Sequence, residues 1–158
     1  MQLSPNFSLE EFEASPVAER LGIYNKIGDS KIMEAAQRTC GMLEKIRKYL
    51  SVYRGRDIPI KIVDGYRCAE LNRAMWGALI SSDNMKGAAV GWTAPSFGEP
   101  RMIAQLLEPL VDDFGIGQLT LEFPDRYDAH ILCSTIRPMR KETRVLTHTD
   151  SGYKQGIR

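Results

Sequence analysis

Along the chain, apolar residues first settle into a helical rhythm at Ile32, Ala36, Cys40, Leu43, Ile46 and Leu50. Steps of three and four put these side chains on one face, which predicts a long helix over about residues 30–49. Glu44 and Lys48 fall one turn apart on its outer face, where they would form an ion pair. Two shorter helices are announced upstream by their ends. Ser8 and Glu11 have capping-box spacing, and Phe7 and Phe12 that of a hydrophobic staple. Ser15, Pro16 and Gly22 supply the cap, the first-turn proline and the stop of the next helix.

After Asp57 the period shortens. Residues 58–63 read as a β-branched strand ended by Asp64-Gly65, residues 68–76 as a short helix, and residues 87–93 as a strand of small residues. Pro100 opens a helix to about residue 114 that Pro109 should kink or shorten. Residues 118–123, 128–135 and 143–147 read as strands. The expected fold is α+β, with N-terminal helices packed on a small, mostly antiparallel sheet. Residues 1–147 form the expected domain. The polar, aperiodic residues 148–158 are expected to form an extended arm.

At 158 residues the chain suffices for one core. A net charge of +1 offers no field to attract nucleic acid or an anionic membrane, so neither is an expected partner. The opening MQLSPNFSLEEF has no basic or apolar leader pattern, and no apolar run reaches membrane length. Synthesis in a cytoplasm without a signal peptide is therefore expected. Cys40, Cys68 and Cys133 are scattered, which suits buried thiols better than disulfides or a cysteine zinc site.

Four segments, taken in order, carry a resemblance. They are LSPNFSLEEF with ERLGIYN, then Asp64-Gly65-Tyr66-Arg67-Cys68 with Leu71-Asn72, then residues 82–92 (SDNMKGAAVGW), and residues 118–123 followed by Ala129-His130-Ile131. Together they resemble the zinc D-alanyl-D-alanine carboxypeptidases and their phage-borne relatives, which share the hedgehog/DD-peptidase fold. The resemblance implies one zinc held by His, Asp and His, a general base shortly before the last His, and a substrate-binding Arg. Carried over residue by residue, the first two ligands become Asn84 and Gly91, while His130 and Arg67 are kept and the base position is Tyr127. An amide is a poor zinc ligand and glycine has no side chain, so no metal or other cofactor is expected. If a site were rebuilt, Asp83, Asp128 and His130 would be its ligands, the last two sharing a strand face.

Set beside these readings, His130 could simply pack against a strand, and His148 is expected to be solvated. Arg67 could clamp a substrate carboxylate, or tie its strand end to Glu70 or a backbone carbonyl. Cys68 lacks a visible basic partner for a nucleophilic role. Trp76 and Trp92 are expected in the core. The expectation is a catalytically inactive relative, not an enzyme, serving as a bacteriophage virion structural or assembly protein. Its partners would be other virion proteins or copies of itself, with the tail ordering on a neighbour. The alternatives are a zinc-dependent peptidoglycan peptidase (an endolysin or virion-associated lysin) and a peptidoglycan-binding module that does not cut.

Overall fold

The computed structural model describes all 158 residues. A short antiparallel pair, β1 (Gln2–Ser4) and β2 (Phe7–Ser8), leads into α1 (Leu9–Glu13) and α2 (Pro16–Leu21). Both helices start at the expected caps. The Ser8 oxygen accepts from the Glu11 amide while Glu11 reaches back to the Ser8 amide, and Gly22 closes α2 in the left-handed conformation. The long helix α3 (Ser30–Arg54) runs further than the pattern suggested, because no residue breaks it before Gly55. The predicted Glu44–Lys48 pair does not form. Glu44 instead accepts from Ser4 Oγ (2.7 Å), the Asn6 amide (2.7 Å) and Asn6 Nδ2 (2.7 Å), tying the N-terminal hairpin to α3.

The second half builds a six-stranded sheet from β3 (Lys61–Asp64), β4 (Ala89–Thr93), β5 (Gln118–Glu122), β6 (His130–Ser134), β7 (Val145–Thr149) and β8 (Gly152–Gln155). Their order is β3-β4-β6-β5-β7-β8, and every pairing is antiparallel except β5 with β7. Between these strands lie α4 (Ala69–Ala74) and α5 (Pro100–Leu107), the latter giving way at Pro109 to a tighter turn over Glu108–Leu110. The architecture is the expected α+β, with a mostly antiparallel sheet.

The strand period divides the sheet into two faces. Val90, Trp92, Leu119, Leu121, Ile131 and Cys133 point to one side and join Ala36, Cys40, Leu43, Ile103 and Leu107 in the core. Trp92 is fully buried and its indole N–H donates to Cys133 Sγ at 3.4 Å. Burial pushes the Cys40 and Cys133 thiols up to about 12, so both behave as inert core residues. Gly91, Glu122, His130 and Leu132 alternate with those core residues and face the other way.

Two sequence expectations change here. Residues 148–158 are no free arm, since His148 lies in β7 and Gly152–Gln155 pairs with it as β8. The terminus is tied down too: the Arg158 amide donates to Thr147 Oγ1 at 2.9 Å, and Arg101 Nε donates to the Arg158 carbonyl at 2.9 Å. Trp76 is not in the core but 85% exposed, on the loop after α4.

Candidate active site

Opposite the core, the sheet forms the floor of a cleft of about 590 Å³. Its walls are the α1–α2 junction, the end of β3 and the loop carrying Trp76 and Leu79. Both histidines of the chain, His130 and His148, line it, with Asp64, Arg67, Glu122, Arg126 and Asp128.

The β3 end is shaped by a close approach. A Cβ on Gly65 would stand 2.1 Å from the Phe12 carbonyl oxygen, so only glycine lets α1 pack here. The Tyr66 amide then donates to that carbonyl at 2.7 Å. The turn sets Arg67 back over Asp64. Its Nε donates to Asp64 Oδ1 at 3.1 Å, a second guanidinium N–H donates to Oδ2, and Nη1 donates to Asn72 Oδ1 at 3.3 Å. Arg67 is thus tied at the strand end, but to Asp64 and Asn72 rather than to Glu70. Cys68 caps α4, its sulfur accepting from the Leu71 amide at 3.4 Å, and it does not line the cleft.

Asn84 is a buried strut. Its Nδ2 donates to the Gly65 carbonyl at 2.9 Å, its Oδ1 accepts from Ser82 Oγ at 3.1 Å, and its backbone carbonyl accepts from the Arg67 amide at 3.2 Å. Gly91 lies beneath His130. A Cβ there would meet His130 Cδ2 at 3.0 Å, Asp64 Cβ at 3.1 Å and His130 Nε2 at 3.3 Å. Asp64, which pairs with Gly91 across β3 and β4, already fills the space a side chain at 91 would need.

Asp83, Asp128 and His130, the ligands a rebuilt metal site would use, are not brought together. Asp83 accepts from Ser134 Oγ at 2.7 Å and pairs with Lys86, away from the cleft. Asp128 sits in the turn before β6, not on the strand, so it does not share a strand face with His130. Its carboxylate is held by Arg126 through two hydrogen bonds of 3.1 and 3.0 Å. Nowhere do three His, Cys, Asp or Glu side chains converge closely enough to hold a metal ion. Tyr127, at the inherited base position, points fully into solvent.

The register of the floor gathers what sequence spacing does not show. Glu122 pairs with His130 on one side and His148 on the other, and His148 pairs with Tyr153. One row therefore crosses four strands as His130, Glu122, His148 and Tyr153. Glu122 is buried, and its Oε2 lies 2.7 Å from His148 Nδ1. The His148 ring stacks on Tyr153 (centroids 4.0 Å, planes 7° apart) and packs against Phe123 at 4.5 Å. Burial pushes the Tyr153 phenol up, and the Glu122 charge adds to the shift. Phe123 holds φ at 47°, the one non-glycine residue in left-handed backbone, and strain of this kind concentrates at functional sites.

A sequence model of the peptidase M15 family matches residues 5–121. The chain belongs to that family. No curated protein matches it. The matched stretch contains Gly65–Arg67, Asn84 and Gly91 and stops one residue before Glu122. Membership overturns the expectation that the chain is not an enzyme, because the match points to a peptidase. The zinc that the resemblance implies is a separate matter, and the residues at its positions do not fit it. The Asn84 amide is spent on Gly65 and Ser82, Gly91 offers no donor, and His130 alone of the three expected ligands remains.

Proposed function

We propose that this protein is a peptidase whose cleft receives short carboxylate-bearing peptides of the peptidoglycan type. The observation that carries the reading is the placement of both histidines, with Glu122, on the floor of one cleft in a peptidase-family fold. Two further features support it. Arg20 supplies positive charge on the wall for a peptide carboxylate. Trp76 and Leu79 supply apolar surface on the loop above the floor.

A virion structural part is the weaker reading. It drew on the broken ligand set, on the single bare domain and on a free tail able to order on a neighbour, and of these the tail is instead strand β8. In the favoured reading Arg67 is a positioning group that holds Asp64 and the β3 end, rather than the carboxylate clamp.

Incubation of the purified protein with a D-alanine-terminated muropeptide tests the proposal. Mass spectrometry should find the shortened peptide and free D-alanine. An intact peptide after prolonged incubation at high enzyme concentration would refute it.

A further inference from the structure

We propose that Arg20 and Trp76 form a subsite that reads the free carboxyl end of a bound peptide. Arg20 takes the terminal carboxylate, and Trp76 covers the last side chain. This rests on the reading that the cleft receives carboxylate-bearing peptides, and it is independent of how a bond would be cut. Three guanidinium groups border the cleft. Arg67 is bound to Asp64 and Asn72, and Arg126 to Asp128 and Asp150. Arg20, in the last turn of α2, is the one left without a carboxylate. The carboxylates of the cleft are engaged as well: Asp64 by Arg67, Asp128 by Arg126, and Glu122 by His148 at 2.7 Å. The charge that meets Arg20 is therefore one the ligand brings.

Both residues are mounted on fixed elements. Ser15 Oγ caps α2, accepting from the Ala18 amide at 3.2 Å, and Gly22 closes it. Just beyond, the buried Asn25 donates from Nδ2 to the Glu13 carbonyl at 2.8 Å and to the Tyr66 carbonyl at 2.9 Å. Its Oδ1 accepts from the Cys68 amide at 2.7 Å. These bonds tie the two ends of α2 to each other and to the turn between β3 and α4. The Trp76 loop is held from the same place. Asn72, buried on α4, accepts from Arg67 and donates from Nδ2 to the Leu79 carbonyl at 2.8 Å. α2 packs against α4, so the cation and the apolar surface stand on adjoining walls.

The chemistry of the two groups defines the ligand. A planar guanidinium meets a carboxylate through two parallel N–H bonds. Arg67 already spends that geometry on Asp64, so the floor at the end of β3 is closed to a second carboxylate and the anion is directed to α2. Trp76 and Leu79 are 85% and 61% exposed, and a small apolar side chain laid on them removes apolar surface from water on both partners. The subsite thus suits a peptide with a free terminal carboxylate and a small apolar last residue.

The test is calorimetric binding of three probes: the D-alanine-terminated muropeptide, the same molecule with its terminal carboxylate converted to an amide, and its glycine-terminated analogue. Mass spectrometry of the same samples reports whether any peptide is cut. The wild-type protein should bind the acid about 10-fold more tightly than the amide, the weight of one charge-assisted hydrogen-bonded contact. Arg20→Gln should lose that preference, and Arg20→Lys should keep part of it. Glycine in place of the terminal D-alanine should weaken wild-type binding about fourfold, the weight of one buried methyl group, and should leave Trp76→Ala binding unchanged. Both residues are exposed, so these variants should keep the native circular dichroism. Equal affinity of the wild type for acid and amide, or an undiminished preference in Arg20→Gln, would overturn the inference. A preference for D-alanine over glycine that survives in Trp76→Ala would overturn it as well. Cutting of the muropeptide beside either of those results would leave the peptidase reading standing. Selective binding of the acid without any cutting would support the inference and sink the peptidase reading. Binding of none of the three probes would overturn the inference.

Discussion

Gly91 and His130 compete for one space. A side chain begun at Gly91 would stand 3.0 Å from His130 Cδ2, and on its other side 3.1 Å from Asp64 Cβ. Real side-chain contacts are looser than this, so one of the two neighbours would have to move. Gly91→Asp, which restores the carboxylate that the resemblance assigns to this position, should therefore destabilise the protein by about 1–3 kcal/mol through crowding. It should gain no tight zinc binding, because the Asn84 amide stays committed to Gly65. Urea unfolding and zinc titration calorimetry on the single variant check both statements.

Asn84 carries a different load. Its amide bridges the Gly65 carbonyl and Ser82 from a position only 2% exposed. Asn84→Ala would leave the Gly65 carbonyl, on the turn that sets Arg67, without this partner. A loss of about 1–3 kcal/mol is expected, read as a lower urea midpoint. Backbone amide resonances of residues 65–67 should shift with it.

Glu44 makes stability depend on pH. Burial acts to raise its carboxyl, but the hydrogen bonds from Ser4 and Asn6 outweigh that and hold it below the ordinary value of 4.5. A carboxyl lowered in the folded state contributes stability above its unfolded value, and that contribution fades as pH falls through the folded one. Glu44→Gln should thus be less stable than wild type by about 1 kcal/mol at pH 7. The gap should narrow as pH falls below 4.5 and close once pH has passed below the folded value. Parallel urea titrations at pH 7 and pH 3 measure it, and a gap of equal size at both would count against the ion–hydrogen-bond account.

Trp76 offers a direct view of ligand entry. It is 85% exposed on the cleft wall, whereas Trp92 is sealed in the core. Trp76→Ala should change stability by no more than about 0.5 kcal/mol, as exposed substitutions do. Muropeptide binding should alter the wild-type fluorescence and leave that of the variant unchanged.

The local features of this fold were legible in the sequence because short-range chemistry sets them. The Ser8–Glu11 box, the Ser15–Pro16–Gly22 frame and the α3 stripe each depend on residues within a few turns. The cleft floor depends on strand register instead. His130 and His148 flank Glu122 only because β5 lies between β6 and β7. His148 was read as a solvated tail residue, although a signal was present: Asp150-Ser151-Gly152 is a turn sequence between two runs of strand-forming residues. The same hairpin replaces the expected arm. In the sequence Asp64 is only the first residue of the Asp64-Gly65-Tyr66-Arg67-Cys68 segment. Its role as the partner of Arg67 and the occupant of the space beside Gly91 needed the β3–β4 pairing to be seen.

The central claim is that this M15-family cleft does not work through a three-ligand zinc, because the Asn84 amide is committed to Gly65 and Ser82 and Gly91 offers no donor. Muropeptide cleavage measured before and after exhaustive treatment with a strong chelator tests it most directly. The account predicts the same rate of D-alanine release in both samples, with no gain on adding zinc. Loss of cleavage on chelation and its return with stoichiometric zinc would contradict it.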